Sequence, residues 1–350
     1  MITALALLGY AACAAWLAPV LLAPLTRHGV SVRAGLAAWL AAMASVLLAA
    51  ALATSISLAT AAAEWPRFTQ ALCRSVAGGA CTPGVYRSVL YQAGVALLAA
   101  LLALAVVVAA WRYGRRVQRS RAQTRAHAET ALLVGRTVSG STVSGSAVSG
   151  TGVSGSAVGG ARTVMLDDPR PAAYCVAGHP AAIVVTSGAL AVLDPPQLRA
   201  VLAHESAHLA HRHHVLATVT RGLAAAFPGV PLFTRGAAEV ATLTEMAADD
   251  AAARTSGRPA LVSALLAIAT GTAFPASRPA PGTFSQVPPA ARALIPGAAM
   301  PAAAYAVPGR VERLLCPPRR ARSAAFTAAL TLVLALLAAA PPALTLLVAR

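Results

Sequence analysis

The stretch Asp194-Pro-Pro-Gln-Leu-Arg-Ala-Val-Leu-Ala-His204-Glu205-Ser-Ala-His208-Leu-Ala-His211 predicts a helix that carries chemistry on its inner face. Asp194 can accept a hydrogen bond from the first free N–H groups, Pro195 suits the first helical position, and Gln197 stands where a capping box needs Glu or Gln. Leu198, Val201, Leu202 and Leu209 form an apolar stripe, and Glu205 and His208 fall on the same i, i+3, i+4, i+7 progression. His204 and His208 are one turn apart, so both imidazoles can point to one spot beside Glu205. In this H-E-x-x-H arrangement two neutral imidazoles and a third ligand hold Zn²⁺, and the open position takes a water whose pKa falls to about 7. Glu205 is then the expected general base, taking the proton from that water as it attacks a peptide carbonyl and passing it to the leaving amine. The chain has only six Glu and eight His, and an inward-facing Glu with no metal beside it would be costly to bury.

Two residues compete for the third ligand position. His214 lies ten residues after His204, the metzincin spacing, but that motif needs Gly three residues after the second His, and His211 stands there. Glu245 would come from a separate helix over 236–254, with Asp249 one turn on along the same face. From there a carboxylate can accept a hydrogen bond from a ligating His and fix its tautomer. Four of the eleven acids fall in this segment, which favours Glu245 over a merely solvated acidic face. His211, His213 and His214 read as surface or interfacial polarity, and His179 has no identifiable partner. Tyr174, His179, Arg254 and Tyr305 all stay open as donors to a transition state.

Composition points to a membrane. Of the 350 residues 57% are apolar and 11% charged, a balance outside the usual soluble range. All 28 basic residues are Arg and the net charge is +17. They cluster beside apolar spans rather than among aromatics, so membrane topology accounts for them better than nucleic acid does. The five Cys show no C-x-x-C pair and no thiolate zinc site.

Three apolar spans are expected at 1–25, 34–63 and 89–111, and a fourth at 323–349, against a bilayer that needs about 20 residues. A cleaved signal peptide would need positive charge before the first apolar run, whereas Arg27 follows it. Six Arg without an acid between 112 and 125 place that side in the cytoplasm, and the Arg27 to Arg33 loop agrees. Both termini are then outside, as is a mixed loop over 64–88, where Cys73 and Cys81 could pair. Between the third and fourth spans, 112–322 is read as the cytoplasmic domain, with strands at 163–166 and 181–187 leading into the H-E-x-x-H helix. A strand beside a zinc helix commonly offers its edge to an extended peptide. Residues 137–160 repeat Val-Ser-Gly and read as a flexible insertion. His213 to Phe233 reads as a helical hairpin, 274–309 as irregular, and Arg310 to Arg322 as basic residues marking the inner side.

The runs Ala173-Tyr-Cys-Val-Ala-Gly-His-Pro-Ala-Ala-Ile-Val-Val-Thr-Ser-Gly-Ala-Leu190, Leu198-Arg-Ala-Val-Leu-Ala-His-Glu-Ser-Ala-His-Leu-Ala-His-Arg-His-His214 and Glu245-Met-Ala-Ala-Asp249 resemble the integral-membrane zinc peptidases of the HtpX type. They are also similar to the related BlaR-type signal transducers; both are gluzincins. The resemblance covers roughly 160 to 255. It implies zinc bound by His204, His208 and Glu245, Glu205 as base, and Asp249 behind the ligands. It implies a membrane protein with four transmembrane helices and a mainly helical α+β zincin-like metallopeptidase domain between the third and fourth. Three helices before that domain and one after are the BlaR arrangement. The 64–88 loop is too short for a penicillin-binding domain, so β-lactam sensing does not carry over. The partners expected are a protein or peptide substrate and the lipid bilayer, with no nucleic acid. The expected role is regulated proteolysis or membrane protein quality control at the plasma membrane. A non-catalytic membrane sensor or scaffold with a structural zinc site is the alternative, although such a site gains nothing from a general base beside the metal.

Overall fold

The computed structural model describes residues 2–27, 31–76, 83–134, 136–137, 162–177, 181–273, 307–316 and most of 328–345. The chain divides into two compact units, one of residues 1–116, 220–237 and 321–350, the other of 117–219 and 238–320.

In the first unit α1 (Ile2–Arg27) packs on α2 (Val32–Val76). Ala4, Leu7, Ala11, Ala15, Ala18 and Leu22 recur at helical spacing as the buried stripe of α1, and Ala38, Trp39, Ala42, Met43 and Val46 are buried on α2. Small side chains let the two backbones approach where lipid supplies no hydrophobic drive. Trp39 Nε1 donates to Thr26 Oγ1 at 3.4 Å, so the buried indole N–H is satisfied. Among the described residues three segments, Ile2–Thr26, Val32–Arg67 and Leu90–Arg119, are long and apolar enough to cross a membrane. The last belongs to α3 (Pro83–Val134), where Arg115 lies over the Trp111 ring at 4.6 Å.

The stretch 64–88 is largely helix rather than loop. α2 continues to Val76 and α3 starts at Pro83 because the Ala, Leu, Arg and Gln after Pro66 are good helix formers, and the breakers Gly78-Gly79 fall between the helices. The same propensity carries α3 past the apolar boundary to Val134. Residues 138–160 of the insertion, Cys81, His179, Tyr305 and part of the expected fourth span lie outside the described residues.

The second unit is built on a four-stranded sheet of β1 (Arg136–Thr137), β2 (Arg162–Leu166), β3 (Ala173–Val176) and β4 (Ala182–Thr186) in the order β1-β2-β4-β3. β2 and β4 are parallel, and the outer pairs are antiparallel. Every residue of β4 is buried. Its Ile183 and Val185 face Leu198, Val201 and Leu202 of α5 (Pro195–Ala210) and Ala264 and Ala267 of α8 (Arg258–Thr270). Val184 packs with Val176, Leu166 and Tyr174 on the opposite face. Sequence reading found β2 and β4 but not β3, whose four residues between two loops are too few to show a period.

Between β4 and α5 the chain turns through α4 (Ser187–Val192), where Thr186 Oγ1 accepts from Ala189 N at 3.1 Å. Gly188 lies so close to the Pro169 to Arg170 backbone that a Cβ would stand 2.2 Å from the Pro169 carbonyl oxygen. Helices α6 (His213–Ala226) and α7 (Pro231–Ser256) follow in sequence, so 213–233, expected as a helical hairpin, holds one whole helix and the start of the next. α9 (Val307–Leu315) buries Val311 and Leu314 against Leu261 and Val262 of α8.

Candidate metal centre and active site

The α5 N-terminus is capped as its sequence predicts. Asp194 Oδ1 accepts from Gln197 N and Gln197 Oε1 accepts from Asp194 N, both at 2.9 Å, and the Gln197 side chain is completely buried. With its start fixed and its apolar stripe seated on β4, α5 has one rotation, and it carries His204 and His208 towards α7. The Nε2 atoms of His204 and His208 lie 3.0 Å apart. Glu245 of α7 completes the triangle, with one carboxylate oxygen 3.4 Å from His204 Nε2 and the other 3.6 Å from His208 Nε2. Ligand atoms of these three residues all lie within 4.8 Å of one another.

Asp249, one turn beyond Glu245, places Oδ1 3.1 Å from His204 Nδ1, within ion-pair range although off the in-line direction of a hydrogen bond. It is 1% exposed. Arg310 of α9, itself 5% exposed, holds it by a fork: Nε donates to Oδ2 at 2.7 Å and Nη2 to Oδ1 at 2.6 Å. The Arg310 Nη1 also lies 3.2 Å from Glu245. Arg313 binds Asp250 by a second fork at 2.7 and 2.8 Å. Arg310 and Arg313 had read as charges marking a membrane boundary; instead they tie α9 to the acidic face of α7. Nothing local could reveal a partner 61 residues away.

His213 is likewise not surface polarity. It is buried, and its Nδ1 lies 3.0 Å from His208 Nδ1. His214 is exposed and stands apart from the three converging residues. Tyr174 packs on the far face of the sheet from α5, and Arg254 is exposed near the end of α7. Cys175 of β3 is the remaining neighbour that sequence reading passed over, close enough to Glu205 for each to shift the other's proton affinity.

The sequence model of Peptidase family M48 matches residues 153–314, which include every one of these side chains. The chain carries an M48 domain. Curated relatives agree over shorter stretches. A Protease HtpX homolog from Acidiphilium cryptum is 42% identical over 67 residues, 19% of this chain and 23% of the relative. Protease HtpX homologs from Burkholderia thailandensis and Ralstonia pickettii are each 34% identical over 74 residues, 21% of this chain and 26% of theirs. The chain thus spans about a quarter of the length of the curated relatives it matches. No solved structure matches the chain.

The electrostatics of the M48 domain favour a cation among these groups. Burial works against charge on His204, but Asp249, Glu245 and Glu205 outweigh it and raise its imidazole to about 9. Burial and the neighbouring His204 charge push His208 down to about 4, so the pair holds one positive charge, not two. Burial pushes Glu205 up from the usual carboxylate range. It also pushes the Cys175 thiol up to about 12, with Glu205 adding to the effect. Asp249 resists burial because Arg310 and then His204 hold it down at about 2. Two imidazoles and a carboxylate are the donor set of a catalytic zinc site, and the field that draws a proton to His204 would draw a divalent ion as well. The residues present fit zinc.

Proposed function

We propose that this protein is a membrane-bound zinc endopeptidase that hydrolyses peptide bonds of cytosolic or membrane-proximal proteins. The observation that carries the reading is the convergence of His204, His208 and Glu245 on one point beside a half-buried Glu205. His204, His208 and Glu245 would hold one Zn²⁺, which when bound supplies Lewis acidity and lowers the pKa of water to about 7. Glu205 accepts the proton of the attacking water and delivers it to the leaving amine nitrogen. Burial suits it to both halves of that task, because a base whose proton affinity is raised towards the working pH takes a proton and returns it more evenly. Among the described residues β3 is the last strand of the sheet, and it packs on α5, so an extended peptide paired along its outer side would run past Glu205. Asp249, held by Arg310, fixes the ring of His204. The domain 112–322 is assigned to the cytoplasm, between the third span and a fourth at 323–349, in regulated proteolysis or membrane protein quality control.

The test compares casein cleavage by the detergent-purified, zinc-loaded full chain with that of Glu205→Gln. The variant should keep its zinc and lose about 10²- to 10⁴-fold in rate. Removing zinc with a chelator should abolish cleavage, and zinc should restore it. If both forms hold zinc and neither cleaves, the proposal gives way to a sensor or scaffold with structural zinc.

A further inference from the structure

Helix α5 ends at Ala210 and α6 begins at His213, so the chain turns within two residues. The last turn closes with His211 N donating to the Ala207 carbonyl at 3.0 Å and Arg212 N to the Leu209 carbonyl at 3.1 Å. Arg212 then takes φ +50°, and it is the sole described non-glycine residue with positive φ. A residue with a side chain in that region is strained and persists where the surroundings impose it. What the kink achieves is a return of His213 over the helix just left. The His213 ring stands edge-on to His208, centroids 4.8 Å apart and planes at 86°, with the two Nδ1 atoms 3.0 Å from each other. His213 is 5% exposed, and His211 stacks on it with centroids at 5.7 Å.

The two nitrogens of His208 therefore have different neighbours. Nε2 faces His204 and Glu245, and Nδ1 faces His213 alone. Two imidazole nitrogens at this distance bond only if one of them carries the proton. A His208 that offers its Nε2 lone pair to a metal carries its proton on Nδ1. The bond then runs from His208 Nδ1–H to the bare Nδ1 of His213, which keeps its own proton on Nε2.

We infer that His213 is a positioning residue, which fixes the tautomer and ring plane of His208 as Asp249 does for His204. The inference rests on the zinc reading above. Each ligating imidazole then has its own partner behind it, one from α7 and one from α6, and the strained Arg212 supplies the second.

The experiment measures the zinc dissociation constant of the full chain in detergent by competition with a chromophoric chelator, for wild type, His213→Leu, His213→Ala and His213→Asn. Asn places an oxygen acceptor near the position of Nδ1, whereas Leu and Ala place none. Leu and Ala should weaken zinc about 10- to 100-fold, and Asn should recover most of the loss. The visible spectrum of the cobalt-substituted protein should shift in Leu and Ala and keep its wild-type form in Asn. Because Ala leaves space and Leu fills it, equal losses in both separate a missing acceptor from faulty packing. Wild-type affinity in both Leu and Ala, or an Asn variant as weak as they are, overturns the inference. A wild type that takes up no zinc overturns the metal reading with it.

Discussion

At the scale of single residues the centre depends on buried charges that satisfy one another. Asp249 and Arg310 are both almost wholly buried, joined by two short hydrogen bonds. Such a pair adds little over a well-packed apolar pair, but removing one partner strands the other, at about 3–5 kcal/mol. Asp249→Asn should lose about that much in unfolding experiments on metal-free protein. Lys at 310 should not replace Arg, since an ammonium cannot form the fork. The pH dependence has a definite sign. The carboxyl of Asp249 is lowered from 3.8 to about 2, so its contribution is complete above about pH 4 and disappears as pH falls towards 2. The stability gap between wild type and Asp249→Asn should therefore be widest near neutrality and narrow across that interval. A gap that is constant or widens on acidification would show that Asp249 is not held as an anion by Arg310.

At the scale of elements, what could be read from sequence divides according to how local its cause is. The capping box of α5, the His204 to His208 spacing and the Glu245 to Asp249 spacing are each written within a few turns, and each was legible. β3 was too short to show a period, and the helical run from Glu64 to Val76 was masked by its mixed polarity. His213 looked like one of three surface histidines because its burial is decided by the φ of Arg212, which no spacing reveals. Arg310 depends on a partner far along the chain and was misread as a boundary charge. Gly188 gives a test of the same distinction between local and tertiary causes. Asp194→Ala removes a cap and should cost about 1 kcal/mol. Gly188→Ala forces a Cβ into the Pro169 carbonyl and should cost about 1–3 kcal/mol as overpacking does. It should also weaken zinc binding, since α4 leads directly into α5. A Gly188→Ala protein as stable as wild type would mean that the Pro169 turn yields freely and does not set the course of β4 into α5.

For the whole molecule the deciding quantity is the distribution of Arg. Six Arg without an acid follow the third apolar segment, and they continue the same helix, α3, to Val134. Drawing that run across a bilayer would cost about 2.5–3.5 kcal/mol for each Arg at the centre, so the expectation is that it stays on the side where positive charge is retained. The M48 match at 153–314 comes after it in sequence, and on the proposed reading that region goes to the same side. After the domain come Arg319, Arg320 and Arg322 and then an apolar run to Ala349 with no charged residue between. A run of that length next to retained charge should cross once more. A fluorescent reporter fused after Arg125 should therefore fold and fluoresce in the cytoplasm. One fused after Arg350 should stay dark, while alkaline phosphatase at the same point is active. Fluorescence at both positions would remove the fourth span but keep the domain in the cytoplasm. Phosphatase activity after Arg125 would reverse the orientation and put the substrates outside, because no peptidase can cut what the bilayer separates from its zinc.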